Sequence, residues 1–356
     1  MRRIGAIRRR LVVASPTYRL FATPGLPQVH EARWRRRVAR APVLTPEEHA
    51  ARVGLKEIEE PIGCSLCGER RMQALFETGA HVRGTRGAWR YHVVRCPSCG
   101  FLYRHPGIRP ERLGDLYADS YSRFLTGRYR ARRRRRYRLV MAGFDPLLAD
   151  GAGRRLLDFG CGAGIFLDVA HKRGFEPWGV DLSPDSVERA RARPSGANAY
   201  FGAPMDVPEI AAGGFDVVTL WSVLAHLATP VEDLTMLRGL LNDDGALLLL
   251  TVNANSLKLK ANGPAWSGFT PNHLKFFSPT TLPILLRRAG FGAVVIPPFH
   301  GDPIESGRVK GLTPAQVARA RRTMDAGNRG NMMRAVAFVD PGGPARWGLT
   351  EHATKL

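Results

Sequence analysis

The sequence lacks any apolar stretch long enough to cross a membrane. Its longest apolar runs, such as residues 246–252, have the length of a strand, whereas a transmembrane helix needs about 20 apolar residues. After the charged start, only residues 11–14 are apolar before Ser15 and Pro16, and the core of a secretory signal needs about 7 to 15 apolar residues. We therefore expect no membrane span, no export and a cytoplasmic protein.

Cysteine is also scarce, which excludes the disulfide framework of small secreted proteins. Four of the five cysteines form two Cys-x-x-Cys pairs, separated by 28 residues and each followed by glycine. Four thiolates complete the tetrahedral shell of Zn²⁺ and leave no open position, so such a site is structural. The sequence predicts a zinc module over residues 56–110, with the ligands Cys64, Cys67, Cys96 and Cys99.

Acidic residues are few, with 31 against 53 lysines and arginines, and the formal net charge is +22. The excess of positive charge is concentrated in two segments. Residues 1–40 hold eleven arginines and one glutamate, and residues 128–138 hold eight arginines, so only +4 remains for the rest of the chain. Such runs are typical of solvated segments, although they also suit nucleic-acid phosphates. We interpret residues 1–55 as a basic, weakly ordered extension and treat nucleic acid as a possible but not favoured partner.

The rest of the chain shows helix and strand periodicity. Residues 111–150 are predicted to form a helical connector, because Tyr137, Met141, Phe144 and Leu148 recur at helical spacing. Strand and helix patterns alternate over residues 151–340, which predicts an α/β fold with a mostly parallel, Rossmann-like sheet covered on both faces. Residues 341–356 are left as a tail.

A glycine-rich turn follows the first predicted strand of this region. The strand at residues 155–159 runs into Gly160, Gly162 and Gly164, where the absence of side chains lets the backbone approach a ligand closely. Asp181 ends the next predicted strand, 21 positions after Gly160. That interval is typical of a carboxylate that binds ribose hydroxyls. Nicotinamide enzymes use Gly-x-Gly-x-x-Gly, whereas this turn reads Gly-x-Gly-x-Gly.

Residues 156–167 resemble the first motif of class I S-adenosylmethionine-dependent methyltransferases, and residues 179–184 resemble the second. Residues 215–218 and 240–250 are similar to the fourth and fifth strand regions of that family. The resemblance implies S-adenosylmethionine as cofactor and a sheet with one antiparallel strand near the carboxyl terminus. Residues 200–206, Tyr-Phe-Gly-Ala-Pro-Met-Asp, diverge from the family pattern where an acid often lies near the adenine amino group, so the resemblance assigns no adenine contact there. The implied cofactor-binding residues are Asp158, Gly160, Gly162, Gly164, Asp181 and Leu182, with Asp181 at the ribose.

The cysteine pairs indicate a narrower group within the methyltransferase family. Together with residues 100–106, Tyr117, Tyr121 and residues 272–278, they resemble zinc-ribbon-bearing sugar C-methyltransferases and their natural-product and polysaccharide-pathway relatives. This resemblance implies that Tyr117 and Tyr121 lie over the cofactor pocket. It also implies methyl transfer to a small-molecule substrate such as a sugar nucleotide, a polysaccharide precursor or a natural-product intermediate.

Two histidines are the candidate catalytic residues. His226 follows the fourth strand, at the sheet edge where open α/β folds bind ligands, and relatives often have Glu-His where this chain has Ala225 and His226. His273 lies in a long loop, residues 253–277, that resembles the family's active-site cover, with Trp266 available to stack on a ligand. A histidine suits a proton acceptor near neutral pH. Two alternatives remain open: an RNA methyltransferase that uses its arginine segments, and a non-catalytic scaffold that only binds the cofactor.

Overall fold

The computed structural model describes residues 22–80, 89–116, 144–195, 198–299 and 312–356, together with residues 134, 137, 140 and 141. Within these ranges, no helix has both the length and the apolar character needed to cross a bilayer. The strands are β1 Val43–Leu44, β2 Glu59–Glu60, β3 Met72–Ala80, β4 Trp89–Arg95, β5 Leu102–His105, β6 Gly107–Ile108, β7 Arg155–Phe159, β8 Glu176–Asp181, β9 Ala199–Phe201, β10 Phe215–Trp221, β11 Leu241–Val252, β12 Lys275–Phe276, β13 Ala293–Val295, β14 Met332–Phe338 and β15 Ala353–Lys355.

Helices lie between most of these strands, as the alternating sequence pattern predicts. In chain order they are α1 Leu26–Arg40, α2 Pro46–Val53, α3 Asp145–Leu148, α4 Ile165–His171, α5 Pro184–Arg191, α6 Pro208–Ala211, α7 Pro230–Gly239, α8 Leu257–Asn262, α9 Leu282–Arg288, α10 Pro314–Asp325 and α11 Gly343–Arg346.

The larger sheet has eight strands in the order β15-β13-β14-β11-β10-β7-β8-β9. Strands β9, β8, β7, β10 and β11 are parallel to one another, and β14 lies antiparallel between β11 and β13. Residues 247–250 of β11 are at most 1% exposed, because both faces of a parallel sheet are covered. The predicted Rossmann-like α/β fold is confirmed.

The carboxyl-terminal end of the chain adds an element that the sequence analysis assigned to a tail. Strand β15 pairs antiparallel with β13 at the edge of the large sheet. Two strands, β14 and β15, therefore run against the parallel set, where the sequence analysis expected one. The reason is that β15 gains its hydrogen bonds from a partner about 60 residues earlier, which leaves no local signal in the chain.

The smaller sheet contains the cysteine module and has the order β1-β3-β4-β5-β12. Its outer strands come from both sides of the predicted limits of residues 56–110. Strand β1 precedes them, and β12 is contributed by the loop that follows β11 and pairs antiparallel with β5. The module is thus not structurally separate, since its sheet includes a strand from the loop at residues 253–277.

Residues 22–55 hold two helices where the sequence analysis expected a weakly ordered extension. Helix α1 packs Trp34 and Val38 against an apolar cluster of the small sheet that includes Phe76. Helix α2 begins with a capping box in which Thr45 and Glu48 satisfy each other's backbone amides. Tertiary packing on one face therefore orders a segment whose arginine content conceals its amphipathic pattern.

The predicted connector, residues 111–150, lies largely outside the described residues. Its apolar positions Tyr137, Met141, Phe144 and Leu148 are buried, at most 6% exposed. Tyr137 packs against the rings of Phe166 and Trp221. The proposed cofactor residues Tyr117 and Tyr121 and most of the arginine run at residues 128–138 lie outside the described residues.

Candidate active site and metal centre

The glycine turn connects β7 to α4 in a conformation that favours glycine at three positions. The φ angles are +78° at Gly160, +53° at Gly162 and +70° at Gly164, values that side chains disfavour. A Cβ atom at Gly160 would lie 2.5 Å from a methyl carbon of Val223. The turn therefore presents bare backbone at the carboxyl end of β7, where open α/β sheets bind ligands.

Asp181 holds this turn from the end of β8. Its Oδ2 atom accepts a hydrogen bond from the Gly162 amide at 2.8 Å, and its Oδ1 atom accepts one from the Ser183 amide at 2.9 Å. Burial raises the pKa of Asp181, and the two amides oppose that rise. Each carboxylate oxygen has a second lone pair, so the group that fixes the turn can also accept hydrogen bonds from ribose hydroxyls.

Asp158 lies one strand away, near the end of β7, and is 1% exposed. Its Oδ1 atom accepts a hydrogen bond from the Thr219 hydroxyl at 2.7 Å. Thr219 belongs to the neighbouring strand β10 and pairs in register with Asp158. Sequence reasoning missed Thr219, because only the strand register brings it beside the glycine turn.

An apolar surface lies beyond Asp181. Leu182, Phe201 and Met205 are each more than half exposed, at 55%, 56% and 55%. Leu182 follows the end of β8, Phe201 is the last residue of the adjacent strand β9, and Met205 follows it. Asp206 instead accepts a hydrogen bond from the Ala203 amide and closes its own turn. Where the sequence departs from the family pattern, the site thus offers apolar side chains that suit the face of a flat ring.

The structure brings the two candidate histidines together, with 4.7 Å between their ring centroids. His226 Nδ1 lies 2.8 Å from the carbonyl oxygen of Asn272, and His273 Nδ1 lies 2.6 Å from that of Gly268. A carbonyl can only accept, so Nδ1 carries a proton in both rings, and in the neutral form of each ring the lone pair is on Nε2. Burial lowers the pKa of His273, which keeps that ring neutral.

Trp266 does not have the ligand-stacking role that the sequence suggested. It is 1% exposed, its indole nitrogen donates to Asn331 Oδ1 at 2.7 Å, and its ring packs edge-on against Phe269. Ala225 is 2% exposed. Both side chains belong to one apolar cluster.

The cysteine module holds the loop that carries His273. The Arg104 amide donates to the Leu274 carbonyl, and the Arg104 guanidinium donates to the Pro271 carbonyl, both at 2.8 Å. Arg104 is 1% exposed and also forms an ion pair with Glu59, with 2.6 Å between Nη2 and Oε1. A buried arginine that is paired and hydrogen-bonded fixes both of its partners. The position of the loop therefore depends on the module.

The four predicted ligand cysteines converge with their sulfur atoms within 4.8 Å of one another. The Sγ atoms of Cys64 and Cys99 are 3.6 Å apart, and those of Cys67 and Cys96 are 3.5 Å apart. Sulfurs bound tetrahedrally to zinc lie about 3.8 Å apart, given Zn–S bonds of about 2.3 Å. All four thiols are free of disulfides. The donor set and its spacing fit a metal ion.

Comparisons with known proteins agree with this geometry. Residues 129–295 match the family model described as "Methyltransferase domain". The ubiquinone biosynthesis O-methyltransferase of Cereibacter sphaeroides is 34% identical over 152 residues, which are 40% of this chain and 62% of that protein. Its counterpart in Psychrobacter arcticus is 28% identical over 172 residues, 43% of this chain and 65% of that protein. The chain thus spans less than two thirds of the length of these relatives.

Among solved structures, an S-adenosylmethionine-dependent methyltransferase from Archaeoglobus fulgidus aligns with a TM-score of 0.45 and 20% identity, covering 63% of this chain and 99% of that one. Over residues 129–295 the chain is thus similar to methyltransferases, and the curated relatives that it matches are O-methyltransferases.

Proposed function

We propose that the protein transfers a methyl group from S-adenosylmethionine to a small-molecule acceptor. The observation that carries the proposal is the glycine turn tied to the Asp181 carboxylate, with Asp158 beside it. The curated relatives are named for ubiquinone biosynthesis, which favours a small acceptor over RNA. We expect a sugar nucleotide, a polysaccharide precursor or a natural-product intermediate.

The cofactor would lie along the carboxyl edge of the large sheet. The glycine turn and Asp158 would face its methionine part, Asp181 its ribose hydroxyls, and the apolar surface formed by Leu182, Phe201 and Met205 its adenine. When bound, S-adenosylmethionine supplies an electrophilic methyl carbon on a sulfonium. The chain's own contribution is to orient the acceptor and exclude water, because displacement at that carbon requires alignment.

The histidine pair would take up the proton that the acceptor loses. Each Nε2 carries a lone pair because a main-chain carbonyl holds the Nδ1 proton. The lowered pKa of His273 keeps it neutral and ready to accept a proton. The resemblance places a carboxylate where this chain has Ala225. In this chain the Asn272 carbonyl would therefore orient His226.

Zinc is the metal that we propose for the four cysteines, and its role is structural. A complete shell of four thiolates leaves no site for a substrate or a reactive water. We propose a cytoplasmic location, because Cys-x-x-Cys pairs that bind a metal are more typical of a reducing compartment than of a disulfide-forming one.

The test is calorimetry with S-adenosylhomocysteine on Asp181→Asn and on a matched control, Asp185→Asn. In the first variant an amide NH₂ group replaces one acceptor and faces a backbone N–H, so we expect about a 100-fold weaker affinity. Asp185 is exposed and pairs with Arg189 at the surface, so its variant should bind like the natural protein. Equal affinities in the two variants would reject the cofactor assignment.

Turnover is tested separately from binding. Release of S-adenosylhomocysteine should depend on added acceptor and should fall sharply in His226→Gln without loss of cofactor affinity. Tight cofactor binding with no product across carbohydrate, phenolic and RNA acceptors would favour the scaffold alternative.

A further inference from the structure

A cavity of about 140 Å³ lies where the cysteine module meets the methyltransferase domain. Its walls come from the first cysteine knuckle, from β5 and β6, from the segment that follows His226 and from the loop that follows His273. Thr229 lies three residues after His226, and Lys275 lies two residues after His273. The cavity therefore borders the segments that position both candidate catalytic side chains.

Lys275 is the most unusual residue in this wall. It is 3% exposed, and within the described part of the chain its Nζ atom has no hydrogen bond and no carboxylate oxygen within 4.0 Å. The nearest aromatic ring, that of Tyr103, has its centroid 5.9 Å away. A buried ammonium with neither a hydrogen-bond acceptor nor a carboxylate beside it is costly to maintain.

Two further polar groups in the same wall have no partner among the described residues. The Ser65 hydroxyl oxygen and the Arg104 Nε atom are buried without a hydrogen bond. The outer nitrogens of Arg104 are held by Glu59 and by the Pro271 carbonyl, so its Nε–H is fixed in direction. Native proteins rarely leave buried donors unsatisfied. All three groups can donate, and two of them carry positive charge.

Glu60 is the only acidic residue lining the cavity. It lies in β2 and is partly exposed. No hydrogen bond or ion pair joins its carboxylate to Lys275, Ser65 or Arg104. The three donors therefore lack an acceptor from the described protein.

We propose that this cavity binds an oxyanion, a carboxylate or a phosphate, and that the oxyanion belongs to the methyl acceptor. An ammonium, a guanidinium N–H and a hydroxyl are the donors that such a group requires. A water molecule occupies about 30 Å³, so the cavity has room for a phosphate. The assignment to the acceptor rests on the proposed function, whereas the oxyanion site itself does not.

Lys275 could instead balance the negative charge of four thiolates, since Cys64 lies close enough to affect its pKa. The two interpretations predict different effects of removing the Lys275 ammonium. Charge balance predicts weaker zinc retention when the lysine is removed and no oxyanion binding in the natural protein. An oxyanion site predicts the reverse.

The experiment is titration of the full chain, with zinc retained, using inorganic phosphate and, separately, acetate, followed by phosphorus line broadening and by calorimetry. Saturable binding is expected in the natural protein and in the control Lys172→Met, which removes an exposed lysine. In Lys275→Met the affinity should fall about tenfold or more, with partial recovery in Lys275→Arg and a smaller loss in Ser65→Ala. The tighter of the two probes identifies the class of oxyanion.

Zinc content and S-adenosylhomocysteine affinity are measured for every variant and should not change. No saturable binding of either probe to the natural protein would overturn the proposal, as would equal binding in Lys275→Met, or loss of zinc in that variant alone. Phosphate binding with no S-adenosylhomocysteine binding would overturn the proposed function and still support the oxyanion site.

Discussion

The two halves of the candidate active site are built in different ways. In the cofactor half, the Gly162 amide and the Asp181 carboxylate are 19 residues apart, and one strand-turn-helix-strand run supplies both. In the acceptor half, Arg104 reaches Pro271 across 167 residues. The first half is set by local backbone geometry, whereas the second requires two distant segments to be folded against each other. The difference predicts that each half can be damaged while the other is spared.

Loss of the metal site should give the largest effect and should fall on the acceptor half. In Cys96→Ser the four-thiolate shell is incomplete, so zinc should be lost and the melting temperature should fall by on the order of 10 °C. S-adenosylhomocysteine should bind with unchanged affinity, measured by calorimetry below the transition. Ser98→Ala is the matched control, because Ser98 lies in the same knuckle, is exposed and is not one of the four ligand cysteines. A parallel loss of cofactor affinity in Cys96→Ser would show that the halves are not separable.

Gly160→Ala should damage the cofactor half and leave the acceptor half intact. A side chain at φ +78° is strained, and its Cβ atom would meet Val223 at 2.5 Å. We expect about a tenfold weaker affinity for S-adenosylhomocysteine, with zinc content unchanged. Gly153→Ala has the same backbone strain at φ +72° but no neighbour within 4 Å, so it should lose stability without losing affinity. If both variants bind equally well, the close packing of the turn is not what shapes the site.

Acid should weaken the acceptor half first. His49 of α2 and His105 of β5 have their Nδ1 atoms 2.8 Å apart in the interior, and burial lowers their pKa values to about 4 and about 3. The unfolded chain binds protons on these rings below pH 6.5 while the folded one does not, so stability is lost as pH falls from 6.5 towards 4. The melting temperature of His49→Gln should fall less between pH 6.5 and pH 4 than that of the natural protein. The exposed control His352→Gln should show the same fall as the natural protein. Identical slopes in all three proteins would contradict the prediction.

The smallest effect is expected from the arginine run at residues 128–138. Replacing several of these arginines with glutamine should flatten the salt dependence of any non-specific RNA binding, because fewer counterions are released. Methyl transfer to a small acceptor should change by about twofold or less, because the proposed cofactor and acceptor contacts include none of these arginines. Faster methylation of a defined RNA than of small acceptors by the natural protein would favour the RNA alternative.

The sequence analysis identified the residues whose roles depend on local spacing. Gly160, Asp181 and the four cysteines were assigned from short motifs; the structure places Gly160 in the turn after β7, Asp181 at the end of β8 and the four cysteines in one cluster. Sequence analysis missed Thr219 and the Arg104–Glu59 pair because the hydrogen-bonded residues are 61 and 45 positions apart in the sequence. It missed Lys275 because only the fold buries that side chain. Trp266 was misjudged for the same reason, since its partner Asn331 follows 65 residues later.

Strand β12 has a consequence for engineering acceptor specificity. The strand belongs in sequence to the methyltransferase domain, yet it completes the sheet of the cysteine module. A chimera that exchanges only residues 43–108 with a homologue would pair the homologue's β5 with this chain's β12. The loop that precedes β12 would then lose the contacts that fix its position. Productive recombination needs two cassettes, residues 43–108 and 253–277, exchanged together from one parent.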